Sequence, residues 1–167
     1  SLNLPILLFT KFYNLEISGL FSLAFRITMV PTSFLGSSIG EVYRQKAFST
    51  YNEIGNCKEL YLKTIKKLFL IGLVPLIVLF FTSKFLFVLI FGSQWLQAGE
   101  ISQYLSILVF FNMISVPLSN TILLNKSQNM DMFLQIFRVL FTLFSFYIGY
   151  INNKDYLLAI KLYVLGF

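Results

Sequence analysis

The block from Leu68 to Phe91 is almost wholly apolar and contains a single charged residue, Lys84. About 20 such residues suffice for a helix to cross the hydrocarbon of a bilayer, where every backbone amide must find its partner inside the segment. Comparable blocks recur from Ser18 to Gly40, Ile101 to Leu124 and Met132 to Tyr150, separated by short polar stretches. With 57% hydrophobic and 12% charged residues in a chain of 167, a soluble core of this size could not hide the apolar surface. The expected fold class is therefore all-α: a polytopic transmembrane helix bundle.

Charge and residue counts exclude several activities. The net charge of +6 is concentrated in one stretch, whereas a nucleic-acid binder spreads Lys and Arg over an exposed polar face. A nucleic-acid partner is not expected. One cysteine, Cys57, cannot form an intrachain disulfide, and the absence of His removes the commonest general base and metal ligand. The acidic residues Glu16, Glu41, Glu53, Glu59, Glu100, Asp131 and Asp155 fall in expected loops or at span ends. No catalytic constellation, metal site or cofactor site is expected, and the chain does not read as an enzyme. The triplet Asn125-Lys126-Ser127 matches a glycosylation acceptor only by chance.

Hydropathy and breaker residues give an expected organisation in one partial transmembrane domain over 1–167. Spans are expected at about 1–12 (truncated), 18–40, 65–83, 101–124, 132–150 and 156–167 (truncated). Phe85–Phe91 reads as an interfacial segment, and Gly92 and Trp95 suit that boundary. The first residue is Ser1 and no charged n-region precedes the first apolar stretch, so the sequence is expected to be a piece of a longer chain. Between Glu41 and Lys67 lie Arg44, Lys46, Lys58, Lys63, Lys66 and Lys67, nearly half of the 13 basic residues. Such residues near span ends are retained on the cytoplasmic side. Loop 41–67 is therefore expected in the cytoplasm, with 11–17, 84–100 and 151–155 outside and 125–131 inside.

The span 18–40 carries polar and small residues at Ser22, Arg26, Ser33, Ser37 and Gly40, with Met29 on the intervening rung. Steps of three, four or seven residues place them on one helical stripe, which either packs on another helix or lines a watery cavity. Gly36 and Gly40 form a small-xxx-small pair. A guanidinium at Arg26, near mid-span, costs on the order of 3 kcal/mol in lipid. In a cavity it would hold an anionic group such as a phosphate through paired hydrogen bonds, and otherwise it would snorkel or bond a neighbouring helix. A second stripe, Gln135, Arg138, Thr142, Ser145 and Gly149, runs along 132–150, and Arg138 lies near enough to its cytoplasmic end to snorkel. Asn112, Ser115 and Ser119, beside Pro117, form a milder face suited to helix packing. Glu41 caps the first stripe at its cytoplasmic mouth, where it could pair with Arg44.

The pattern Gly19-x-x-Ser22-x-x-x-Arg26-x-x-x-x-Pro31, followed by Gly36, Gly40, Val42 and Gln45, resembles the middle of bacterial oligosaccharide flippases of the O-antigen type. Phe91-Gly92-x-x-Trp95-x-x-Ala98-Gly99 and Pro117-Leu118-Ser119 resemble the outer loop and following helix of the same polysaccharide-biosynthesis proteins, and the likeness extends over Asn3 to Gly149. Glu41 departs from the uncharged residue expected there. The resemblance implies a two-bundle transporter of the multidrug/oligosaccharidyl-lipid/polysaccharide exporter superfamily, with this chain as its C-terminal half and the missing N-terminal bundle as a partner. It implies that an undecaprenyl-pyrophosphate-linked oligosaccharide is flipped across the bacterial plasma (inner) membrane, among membrane lipid, by alternating access. Arg26 would receive the pyrophosphate, with Ser22, Ser33, Ser37 and Arg138 as further cavity candidates. The alternatives are a multidrug antiporter of the same superfamily, which wants an intramembrane carboxylate, and an integral-membrane polymerase or glycosyltransferase, which wants a sizeable acidic extramembrane loop.

Overall fold

The computed structural model describes residues 4–30, 32–118, 128–152 and 155–166; of these, the side chains of 35, 37 and 128–131 lie outside the description. The described residues form helices and no strand: α1 (Leu4–Phe12), α2 (Leu15–Thr28), a π-helical turn (Thr32–Gly36), α3 (Ser37–Ile54), α4 (Lys58–Phe91), a 3-10 turn (Ser93–Trp95), α5 (Leu96–Leu118), α6 (Gln128–Ile151) and α7 (Tyr156–Leu165). The chain is thus an all-α bundle. Three helices, Lys58–Phe91, Ser93–Leu118 and Met132–Ile151, are long and apolar enough to cross a membrane, and α2 with Thr32–Ile54 would form a fourth, bent span.

Local chemistry sets the helix ends. The Asn14 side chain accepts a hydrogen bond from the Ile17 amide at 2.7 Å and starts α2, while Asp155 accepts from Leu158 at 3.0 Å and starts α7. Gly55 (φ 72°) closes α3 and Gly92 (φ 96°) closes α4, both in the left half of backbone space that side chains disfavour. The break between α2 and α3, a bend of 45°, coincides in sequence with Pro31, which has no amide to continue the ladder.

Several bounds differ from those expected. Helix α4 runs unbroken from Lys58 to Phe91, so 85–91 continues the span rather than lying along the surface. Only Gly92–Trp95 connects it to α5, and the expected outer loop 84–100 is mostly helix. Lys84 does not end the helix because it has a partner, described below. The expected cytoplasmic stretch 41–67 is helical on both sides of residues 55–57, which carry the positive-φ glycine. The span expected at 101–124 begins at Leu96 and is described to Leu118. The glycosylation-like triplet and Ser119 lie outside the described residues.

α5 is the hub, packing along α4 and touching α2, α3 and α7, while α6 packs on α7 and α1. The main core gathers Phe9, Phe21, Ile101, Leu105, Phe146 and Ile160, with Phe9 set edge-on to Phe146 at 4.6 Å between ring centroids. A second cluster of Tyr43, Ala47, Leu68 and Leu118 joins α3 to the base of the α4–α5 hairpin. Glycines allow the hairpin to close: a Cβ on Gly99 would lie 2.8 Å from the Lys84 Cα, and one on Gly72 would lie 3.2 Å from the Phe110 ring.

The outside of this bundle is apolar, the reverse of a soluble protein. On α4, Leu70, Val74, Ile77 and Phe81 are all exposed, Phe81 by 76%. On α6, Phe133, Phe137, Leu140 and Phe144 are exposed as well. Surfaces of this kind are stable against lipid and not against water.

Candidate functional site

α2 has two faces of opposite character. Leu20, Phe21, Ala24, Phe25 and Thr28 are buried against the bundle. Successive residues step by 100°, so Gly19, Ser22 and Arg26 lie on the opposite side. Gly19 and Arg26 are exposed and Ser22 is half-buried. A Cβ on Gly19 would meet nothing within 4 Å. The exposed side of α2 is therefore mixed, with Gly19, Ser22 and Arg26 between the exposed Leu15 and Val30, where the exposed side of α4 is apolar.

The buried side of α2 is fixed by a polar contact that periodicity alone does not reveal. Thr28 Oγ1 lies 2.6 Å from Ser102 Oγ of α5 and donates to the Ala24 carbonyl at 2.5 Å; both side chains are fully buried. In a membrane interior such a pair orients one helix on another, contributing about 0.6 kcal/mol in typical cases. It points Arg26 away from α5.

The other candidates are distributed unevenly. Ser33 is exposed and donates to the Val30 carbonyl at 2.8 Å, so its hydroxyl is satisfied locally. Ser37 begins α3, and its side chain is outside those described. Arg138 is exposed on α6 and within electrostatic reach of the Tyr163 phenol on α7. Of its stripe, Gln135 is exposed too, whereas Thr142, Ser145 and Gly149 are buried. The two buried hydroxyls return to their own helix, Thr142 to the Arg138 carbonyl at 2.7 Å and Ser145 to that of Phe141 at 2.8 Å. The stripe is thus mostly a packing seam. Arg26 and Arg138 sit on helices with at most a marginal contact among the described residues; α1 packs on both.

At the end of the α2–α3 stripe, Glu41 takes Arg44 in a two-point pair, Nη2 to Oε1 at 2.8 Å and Nε to Oε2 at 3.2 Å. The hydrogen bond from Arg44 holds the Glu41 carboxyl below the usual glutamate range, and the same bond raises the guanidinium. Cys57 lies half-buried at the α3–α4 turn as a free thiol.

Three further polar contacts join one helix to another. Lys84 Nζ lies 3.0 Å from Glu100 Oε1, a pair sixteen residues apart with Gly92 midway. A hairpin turning at Gly92 puts these positions opposite each other, so the signal was present in the spacing. Glu100 is therefore one turn inside α5 rather than in a loop, and its charge is balanced. Lys161 of α7 stands over the Tyr104 ring at 5.0 Å, a cation–π contact between elements far apart in sequence. The third is the Thr28–Ser102 pair.

A family model for polysaccharide biosynthesis proteins matches residues 1–100, more than half of the chain. The chain belongs to the polysaccharide biosynthesis protein family. No curated protein and no solved structure matches it. The matched part of this polysaccharide biosynthesis protein contains α1 to α4 and the hairpin turn, and with them Ser22, Arg26, Ser33, Ser37 and the Lys84–Glu100 pair. Arg138 lies beyond it. Family and helices together describe a membrane protein with a role in polysaccharide assembly or export.

Proposed function

We propose that the protein translocates a lipid-linked oligosaccharide, an undecaprenyl-pyrophosphate-borne repeat unit, from the cytoplasmic to the outer leaflet of a bacterial inner membrane. One contrast carries the reading: the outward face of α2 holds the guanidinium of Arg26 with Ser22 and Gly19, between the exposed Leu15 and Val30, while the outward face of α4 from Leu70 to Phe81 is an unbroken apolar stripe. A guanidinium left against lipid costs on the order of 3 kcal/mol, so that face of α2 suits a watery cavity instead. The N-terminal bundle of the full-length protein forms the other wall of that cavity. Arg26 binds the pyrophosphate through charge-assisted hydrogen bonds, Ser22 and the hydroxyls farther along the stripe meet sugar, and the polyprenyl tail stays in the bilayer. No bond is made or broken. Rocking of one bundle against the other exposes the cavity to each side in turn.

The test is made in a strain lacking its own translocator, with full-length wild type and Arg26→Ala expressed to equal abundance. Wild type should restore surface glycan, and the variant should leave the lipid-linked oligosaccharide on the cytoplasmic side. If the intermediate reaches the outer leaflet without this protein and merely stays unpolymerised, the proposal fails and a polymerase or glycosyltransferase activity takes its place.

A further inference from the structure

The lipid-facing stripe of α4 does not end where the apolar residues end. Going back from Phe81 through Ile77, Val74 and Leu70, steps of three and four residues lead next to Lys66 and Lys63, and all six are exposed. Lys67, also exposed, flanks them. The opposite face of α4 carries Leu68 and Gly72 and is buried on α5 and α3. Leu68 and Leu118 share a core cluster, so Lys58–Lys67 project about 15 Å past the last described turn of α5, at ~1.5 Å per residue. A basic group thus caps the outward apolar stripe of α4.

We propose that the base of α4 binds an anionic phospholipid of the surrounding leaflet, with its phosphate on Lys63, Lys66 and Lys67 and its acyl chains along Leu70, Val74 and Ile77. Charge and continuity choose this occupant. None of the three lysines is ion-paired among the described residues, and Glu59, four residues before Lys63, is the one acidic residue on this base and is itself next to Lys58. Ile54 (73% exposed) and Leu62 (49%), on either side of the α3–α4 turn, add apolar surface that an interfacial position covers. The transported substrate is the poorer match. α4 packs along α5 without comparable contact to α2, so the lysines and Arg26 face different surroundings. The site stands whether or not the protein moves a lipid-linked sugar.

Full-length protein is reconstituted in phosphatidylcholine vesicles containing a trace of nitroxide-labelled phosphatidylglycerol or nitroxide-labelled phosphatidylcholine, and electron spin resonance measures the immobilised fraction of each. Basic residues near an anionic surface each favour association by roughly fivefold at low ionic strength. Wild type should therefore prefer the glycerol lipid by about fivefold or more, and the preference should fall in 0.5 M salt as screening sets in. Lys63→Gln/Lys66→Gln/Lys67→Gln should bring the ratio near one, and the matching triple Arg variant should keep it. Equal immobilisation of the two lipids by wild type, or a preference untouched by salt and by the Gln variant, overturns the proposal. Displacement of the labelled glycerol lipid by equimolar farnesyl diphosphate also overturns it, because the lysines would then be reading the diphosphate of a polyprenyl carrier. Association of the protein with itself, seen as energy transfer between fluorophores on Cys57 and lost in the Gln variant, overturns it in favour of a second copy.

Discussion

Replacing Gly99 with alanine adds one methyl group where α4 and α5 approach most closely. The new Cβ would sit 2.8 Å from the Lys84 Cα, 3.0 Å from the Ser83 carbonyl oxygen and 3.1 Å from the Phe87 Cβ. Two of these are backbone atoms, so no side-chain rotation relieves the overlap and the helices must move apart by several tenths of an ångström. Overpacking of this kind costs about 1–3 kcal/mol. Alanine returns about 1 kcal/mol through its better helix propensity, leaving a net loss of up to about 2 kcal/mol. Separation of the helices also lengthens the 3.0 Å Lys84–Glu100 pair. Gly19→Ala is the matched control: nothing lies within 4 Å of its Cβ, so propensity acts alone and stability should rise by up to about 1 kcal/mol. Unfolding of the full-length protein in mixed detergent micelles, followed by circular dichroism, compares the two. A Gly99→Ala protein more stable than wild type, as the Gly19→Ala control should be, would refute the close-packed hairpin.

Other consequences are testable in the same system. Thr28→Val and Ser102→Ala, singly and together, should show a coupling of about 0.6 kcal/mol and no more than about 1.7, because the two hydroxyls meet across α2 and α5 while Thr28 also bonds its own helix at Ala24; additive effects would remove that contact. The Tyr13 hydroxyl is buried without a hydrogen-bond partner among the described residues, and burial, with Asp155 adding its charge, pushes its pKa from 10.0 up to about 12. Its stabilising neutral form is intact below pH 10 and is lost as pH rises toward 12, so Tyr13→Phe should be at least as stable as wild type at pH 8 and lose less stability by pH 11. Glu41, held low by Arg44, contributes its pairing above the ordinary glutamate range and gives it up as pH falls through the lowered pKa. Carbon-detected NMR of the labelled carboxyls should find Glu41 titrating below the usual glutamate range, and Arg44→Gln should raise it.

Much of the architecture was legible because lipid leaves a coarse signature. Apolar block length announced helices at 65–83 and 132–150, the first of which runs on to Phe91, and the period of Ser22 and Arg26 put them on one face of α2. What composition could not show was how helices end and meet. Lys84 looked like the end of a span because a lone charge in lipid is costly, yet Glu100 reaches it across the hairpin and the helix continues. Thr142 and Ser145 looked equivalent to Arg138 by spacing, but a short hydroxyl can return to its own backbone and be buried, whereas a guanidinium cannot. Lys161 over Tyr104 joins elements whose proximity no local pattern encodes.

Translocation itself is measured most directly with full-length protein in sealed vesicles carrying a fluorescent polyprenyl-diphosphate oligosaccharide in both leaflets, with a membrane-impermeant reductant added outside. Wild-type vesicles should lose nearly all fluorescence as the inner pool is brought out, while protein-free vesicles and those with Arg26→Ala should lose only the outer half. Complete loss with Arg26→Ala at the wild-type rate, or retention of half the signal with wild type, would contradict a lipid-linked sugar carried past Arg26.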